Sequence, residues 1–313
     1  MSFYFPSGVF TVLVTPFNLD ETIDYVSLRA WFDIQVKSNV AGLVLMGTTS
    51  ESPTLSRDEQ FEILSKVSEW NKELEQPKYI VLGCGGNDTR EMVTFSKKCV
   101  SLCNAFMVTV PAYNKPTQNG IYEHYKAFCT DSELCLKPVM IYNVPSRTGL
   151  NMEVSTIKRV YENFSNVVAI KEASGSISQL IQLRTQVPTL KVFSGDDLLI
   201  LDFCVAHGGC GVISVASNVI PDLMCKVYEG CADGTATKLF YSLKLPEFIN
   251  ALFCETNPIP VKYLLCYNST FTNNVLRLPM TSLSEKLHEQ VAEAYNTTLA
   301  LYYSNCFSHG EKI

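Results

Sequence analysis

Eight short apolar runs, each followed by a longer stretch in which apolar residues recur at helical spacing, constrain this chain more than any other feature. The runs occupy 8–15, 41–46, 79–83, 105–110, 138–143, 167–172, 190–195 and 211–215. They are apolar nearly throughout rather than alternating, the pattern of parallel strands covered on both faces. The stretches between them carry helical periodicity: over 56–75, Phe61, Ile63, Leu64, Val67 and Trp70 share one side, Ser56 opens the segment and Pro77 lies beyond its end. Regular strand and helix alternation implies βαβ units, and eight of them predict an α/β fold of the closed (β/α)8, or TIM, barrel type. An open doubly wound sheet is the competing arrangement. It rarely needs eight consecutive parallel strands with so few insertions, and no G-x-G-x-x-G follows the first run. The G-x-G of Gly83, Cys84 and Gly85 is too weak to hold a dinucleotide.

The eighth unit ends near Glu229, and the rest of the chain reads as further helices, broken at Asn257-Pro258-Ile259-Pro260 and at Arg277-Leu278-Pro279. The expected division is a barrel over 1–232 and a helical region over 233–313, docked without a low-complexity linker. The end, from about Asn305, is expected to be frayed.

Composition narrows the partners. The chain has 313 residues, 47% of them apolar, which suffices for a large core. Its 25 basic and 31 acidic residues give a net charge of −6, with no Lys/Arg cluster to track a phosphate backbone, so nucleic-acid binding is not expected. No apolar run approaches the roughly 20 residues that span a bilayer, and the start MSFYFPSGVF lacks the charged and apolar blocks of a leader. A cytoplasmic protein without membrane association is expected. The 12 cysteines are scattered through apolar segments without a C-x-x-C, and are read as reduced core residues rather than as a zinc site or a disulfide framework. His207, between Ala206 and Gly208, reads as structural, since a metal needs several convergent donors.

In a (β/α)8 barrel the active site lies where the strands stop. Those places here carry Gly47-Thr48-Thr49-Ser50-Glu51, then Pro111-Ala112-Tyr113-Asn114, then Tyr142-Asn143-Val144-Pro145-Ser146-Arg147-Thr148-Gly149, then Lys171-Glu172. Lys171 follows Val167, Val168, Ala169 and Ile170, so it emerges from a covered strand into the barrel mouth. Removal from water disfavours an ammonium ion and leaves a neutral amine able to attack a ketone and form a Schiff base. An isolated lysine at a strand end more often snorkels to water; the neighbours of Lys171 reverse that balance. Tyr142, at the end of the adjacent strand, is placed to pass protons, provided a relay through other hydroxyls such as those of Thr48 and Tyr113 supports the phenol. Taken alone it reads equally well as a core aromatic with its hydroxyl at the rim. The Gly47-Thr48-Thr49 turn offers backbone N–H groups and hydroxyls to a small carboxylate, although Gly-Thr-Thr is also an ordinary strand-to-helix turn. Arg147 offers a planar fork to a second carboxylate; the alternative is an exposed loop arginine.

From 8 to 280, these motifs resemble the pyruvate-dependent class I aldolases, and within them the dihydrodipicolinate synthase branch. The resemblance runs through G-T-T-S-E at 47–51, Y-N-V-P-S-R-T-G at 142–149, I-K-E-A at 170–173, S-G-D-D at 194–197, G-V-I-S-V at 211–215 and N-P-I-P-V-K at 257–262. It implies a lyase of lysine and diaminopimelate biosynthesis in which Lys171 condenses with pyruvate and the enamine attacks L-aspartate 4-semialdehyde. It assigns Tyr142 as proton donor and acceptor, and Thr48 and Tyr113 as the relay, with Tyr113 inserted from a neighbouring subunit. Thr49 and the backbone near Ile213 would bind pyruvate, Gly195 would line the cavity, and Arg147 would grip the semialdehyde carboxylate. The resemblance further implies a homotetramer of two tight dimers and chemistry without metal or organic cofactor.

Two departures stand out. Ser50 takes a place where the family usually has glycine, which requires that position to avoid positive φ or tolerate its strain; activity is expected to survive. Feedback inhibition by lysine in some members uses positions matching Ser52, Pro53, Arg57, Gln60, Asn87, Glu91 and Ala112. Here Arg57 adds positive charge and Ala112 lacks an aromatic surface, so weak or absent inhibition is expected. Two other readings remain open at this point: a family aldolase for N-acetylneuraminate or a keto-deoxy sugar acid, and a non-catalytic oligomeric binding paralogue.

Overall fold

The computed structural model describes residues 3–309. Eight parallel strands follow one another in sequence order around a closed barrel, and β1 (Gly8–Val12) pairs with β8 (Gly211–Ser214) to shut it. Between them come β2 (Gly42–Leu45), β3 (Tyr79–Cys84), β4 (Ala105–Thr109), β5 (Val139–Asn143), β6 (Val167–Glu172) and β7 (Lys191–Ser194). The connecting helices are α1 (Tyr25–Lys37), α2 (Arg57–Lys72), α3 (Thr89–Cys99), α4 (Gln118–Cys129), the short α5 (Pro145–Thr148), α6 (Val154–Asn163), α7 (Ile177–Gln186) and α8 (Pro221–Asp233). This is the (β/α)8 barrel expected from the sequence. One unit is irregular: a 3-10 turn at Asp197–Leu199 and a π-helical segment at Asp202–Ala206 join β7 to β8.

Several apolar runs outlast their strands. β1 stops at Val12; Leu13 still donates from N to Val44 O at 2.9 Å, and Val14 and Thr15 continue the buried path out of the sheet. Helix α2 shows why its segment folds where it does. The Ser56 hydroxyl accepts from Glu59 N at 3.2 Å while the Glu59 carboxylate accepts from Ser56 N at 2.8 Å, a reciprocal cap that satisfies two otherwise free donors. Ile63, Leu64 and Val67 are buried against the sheet, and Phe61 and Trp70 flank them half-buried.

Strand alternation divides the core into two populations. Val9, Leu43, Leu45, Ile80, Leu82, Phe106 and Val108 point outward to the helices. Phe10, Val12, Val44, Val81, Met107, Met140, Ala169, Phe193 and Ile213 fill the barrel. Phe5 closes the amino-terminal end, its ring 5.4 Å from Phe10 and 5.5 Å from Phe193. The carboxyl ends of the strands are thus the open mouth.

Beyond the barrel lie α9 (Ala236–Ser242), α10 (Leu245–Ala251), α11 (Ile259–Tyr267) and α12 (His288–His309). They are firmly docked: the buried Thr298 hydroxyl donates to Leu243 O at 3.1 Å, and the rings of Phe248 and Tyr295 lie 6.0 Å apart. The point from which fraying is expected, about Asn305, lies within α12, whose backbone is helical to His309; 310–313 lie outside the described residues. Among the described residues no helix is long and apolar enough to cross a membrane. The described cysteines are free, but only Cys84, Cys99, Cys103, Cys129 and Cys225 are buried. Cys135, Cys204, Cys210, Cys231, Cys254 and Cys266 are half-buried, so the expectation of core cysteines holds for only part of the set.

Candidate active site

Parallel pairing of β5 with β6 sets Tyr142 opposite Lys171 and Asn143 opposite Glu172. Lys171 lies two residues after Ala169 on the inward face, and its side chain is 6% exposed in the barrel mouth. Its Nζ sits 4.2 Å from the centroid of the Tyr142 ring. Room for this side chain depends on Gly195, where a Cβ would fall 3.1 Å from Lys171 Cε and 2.5 Å from Ala173 Cβ. On the outward face, the buried Glu172 carboxylate accepts from Asn143 Nδ2 at 3.1 Å, Gln179 Nε2 at 2.9 Å and Ser174 N at 2.7 Å. These bonds tie the ends of β5 and β6 together one residue beyond the Tyr142–Lys171 pair.

The turn after β2 folds as a 3-10 element at Thr48–Ser50. Positive φ falls on Met46 and Glu51, at 57° and 54°, and not on Ser50. Serine is therefore accommodated without backbone strain, and its hydroxyl adds a fastening by donating to Leu13 O at 2.8 Å, while Thr15 Oγ1 donates to Ser50 O at 2.7 Å. Thr48 lines the mouth, and Thr49, 2% exposed, accepts at Oγ1 from Asn257 Nδ2 at 3.0 Å. Arg147, on α5, donates from Nη2 to Asn257 O at 3.2 Å, so it is not a free loop arginine.

A cavity of about 800 Å³ opens over these groups; Thr48, Tyr142, Arg147 and Asn257 are in its wall. The same wall continues past Ser52, Pro53, Arg57, Gln60, Asn87 and Ala112. Lys171, Thr49, Gly195 and Ile213 are not part of that wall. Tyr113 stands apart, 86% exposed, with φ of 65°. Within one chain, then, the expected relay of Thr48, Tyr142 and Tyr113 is incomplete.

Sequence reading gave no role to several residues that shape this mouth. Asp197 is buried at the end of β7; its Oδ2 accepts from Val215 N at 2.8 Å and Ala216 N at 3.0 Å, fixing the chain just past Ile213, and burial raises its carboxyl above the ordinary range. Lys262, 0% exposed on α11, donates to Glu51 Oε1 at 2.6 Å, and burial pushes its ammonium down to about 8. The available signal was a lysine inside an otherwise apolar helical segment, Ile259 to Leu265, which needs a buried partner.

The model of the dihydrodipicolinate synthetase family matches residues 5–298. A 4-hydroxy-tetrahydrodipicolinate synthase of Endomicrobium trichonymphae is 38% identical over 89% of this chain and 94% of its own length. Among solved structures, the 4-hydroxy-tetrahydrodipicolinate synthase of Methylacidiphilum fumariolicum superposes with a TM-score of 0.89 at 32% identity, covering 95% of this chain and 97% of that one. The dihydrodipicolinate synthase of Thermotoga maritima gives a TM-score of 0.87 at 34% identity, over 95% and 100% of the two chains.

Proposed function

This chain belongs to the dihydrodipicolinate synthetase family, and from that premise we propose that it is a 4-hydroxy-tetrahydrodipicolinate synthase, condensing pyruvate with L-aspartate 4-semialdehyde through a Schiff base on Lys171. The observation that carries this reading is the Lys171 amine, nearly buried in the barrel mouth and 4.2 Å from the Tyr142 ring.

The Lys171 amine adds to the pyruvate ketone, and loss of water from the carbinolamine leaves the imine. Tyr142 carries the protons of these steps and receives the one lost from the pyruvate methyl as the enamine forms. The enamine carbon then attacks the semialdehyde aldehyde, forming the C–C bond and a hydroxyl. Finally the amino group of the second substrate attacks the imine carbon, displaces Lys171 and closes the ring, so that one water is released overall. Thr49 and the backbone at Ile213 hold the pyruvate carboxylate. Arg147 takes the carboxylate of the semialdehyde as a paired hydrogen-bond acceptor, which the guanidinium fork suits and a point charge would not.

Tyr113 completes the proton relay in the site of a second subunit, within a homotetramer of two tight dimers. Its support is the exposed ring held at a positive φ, a strained placement for a tyrosine that serves nothing within its own chain. No step calls on a metal or an organic cofactor, and the reaction belongs to the cytoplasm.

Turnover decides the substrate. Formation of the cyclic product from pyruvate and aspartate 4-semialdehyde is expected. Cleavage of N-acetylneuraminate or a keto-deoxy sugar acid to pyruvate, without condensation of the semialdehyde, would instead assign the chain to another aldolase of the family.

A further inference from the structure

The turn that carries Thr48 and Thr49 is held from the far end of the chain. Glu51 closes that turn in a left-handed conformation, φ 54° and ψ 33°, with its N–H on Thr48 O at 3.1 Å. Such a backbone is strained for glutamate and persists only where the surroundings over-determine it. Here they do. Glu51 Oε1 accepts from Lys262 Nζ at 2.6 Å and Oε2 accepts from Arg277 N at 3.2 Å. Lys262 and Arg277 both lie over the Phe17 ring, at 4.1 and 4.6 Å, and the Arg277 guanidinium is anchored in turn on Glu59.

An ion pair this deeply buried is weak evidence for stability, because desolvation offsets most of its attraction; what it does supply is a fixed geometry. A second tether acts on the neighbouring residue. Asn257 Nδ2 occupies an acceptor position of Thr49 Oγ1, which leaves the Thr49 hydroxyl hydrogen to donate elsewhere, while Asn257 O holds Arg147.

We propose that Lys262, acting through Glu51, and Asn257, acting through Thr49, are positioning residues that hold the two adjacent hydroxyls in their working orientation. The helices beyond the barrel are thereby part of the site rather than an appendage to it. The inference rests on the roles given above to Thr48 and Thr49.

The test compares wild type with Lys262→Met, the double variant Glu51→Gln/Lys262→Met, and Asn257→Ala. Each is followed by Tm, KM for pyruvate, exchange of pyruvate methyl protons into deuterium oxide, and borohydride trapping on Lys171. Lys262→Met strands the Glu51 charge and is expected to melt early; the double variant removes both charges and is expected to fold. With its hydroxyls loosened, the double variant is expected to show a pyruvate KM raised, and methyl exchange slowed, about tenfold or more, the scale of one lost charge-assisted hydrogen bond. Full trapping at saturating pyruvate is expected to remain, a split that a general loss of structure does not produce. A folded double variant with wild-type KM and exchange overturns the proposal. Should that variant not fold, unchanged KM and exchange in Asn257→Ala overturn it equally. Failure of wild type to trap pyruvate at all would strike instead at the aldolase reading beneath.

Discussion

Tyr142 and Lys171 face each other across β5 and β6, with the lysine nitrogen 4.2 Å from the centroid of the tyrosine ring. The phenol is therefore close to any carbinolamine formed on that nitrogen. Tyr142→Phe keeps the buried ring and removes only the hydroxyl, so the fold is expected to survive while kcat falls about 10²-fold or more, the usual contribution of a positioned proton carrier. Steady-state kinetics and Tm on the same sample check this; near-normal kcat would remove Tyr142 from the mechanism.

Gly195→Ala tests the space beside the nucleophile. The added methyl meets Ala173 Cβ at 2.5 Å, a contact that forces movement, and Lys171 Cε at 3.1 Å. Slower adduct formation with pyruvate is expected, together with a destabilisation of about 1–3 kcal/mol from overpacking. Stopped-flow formation of the imine and thermal melting measure the two effects separately.

Acid sensitivity should carry a signature of His124. Burial lowers its imidazole to about 4 from an ordinary 6.5, and its Nδ1 is bonded to Thr89 Oγ1 at 2.8 Å. Between those two values the unfolded chain binds a proton that the folded chain refuses, so stability is present above 6.5 and is lost as pH falls toward 4, by about 3 kcal/mol in all. Urea unfolding at a series of pH values should show a shallower decline over this window in His124→Gln.

Lysine is expected to inhibit weakly or not at all. Arg57 donates from Nε to Glu91 Oε1 at 2.8 Å, and its guanidinium lies 4.5 Å from the Phe95 ring. The carboxylate that could take an amino acid's ammonium is thus already paired, and a cation stands beside it. Half-maximal inhibition at micromolar lysine would contradict this.

Much of the architecture was legible because βαβ periodicity is a local property: apolar runs such as 167–172 mark covered strands whatever surrounds them. Where the runs outlast the strands, as at Val14 and Thr15, hydropathy reports burial and not pairing. Lys171, Tyr142, Thr48 and Arg147 could be singled out as candidates because strand ends are where a barrel displays its chemistry. Asn257 and Lys262 stood inside N-P-I-P-V-K, and Arg277 at a helix break, without a role, since their partners at Thr49, Glu51 and Glu59 are more than a hundred residues away in sequence and no local pattern couples them. Glu172 and Asp197 stood inside recognised motifs, but their work is to hold backbone and amide donors, which composition does not reveal. Ser50 shows the reverse case: a residue unusual for its motif proves compatible because the left-handed position is its neighbour's.

The central claim is the covalent role of Lys171. Its most direct measurement is intact mass and peptide mapping after incubation with pyruvate and borohydride. A single reduced pyruvate adduct on the Lys171 peptide, absent from Lys171→Ala, is expected. Folded protein with Lys171 unmodified, or the adduct on another lysine, would contradict it.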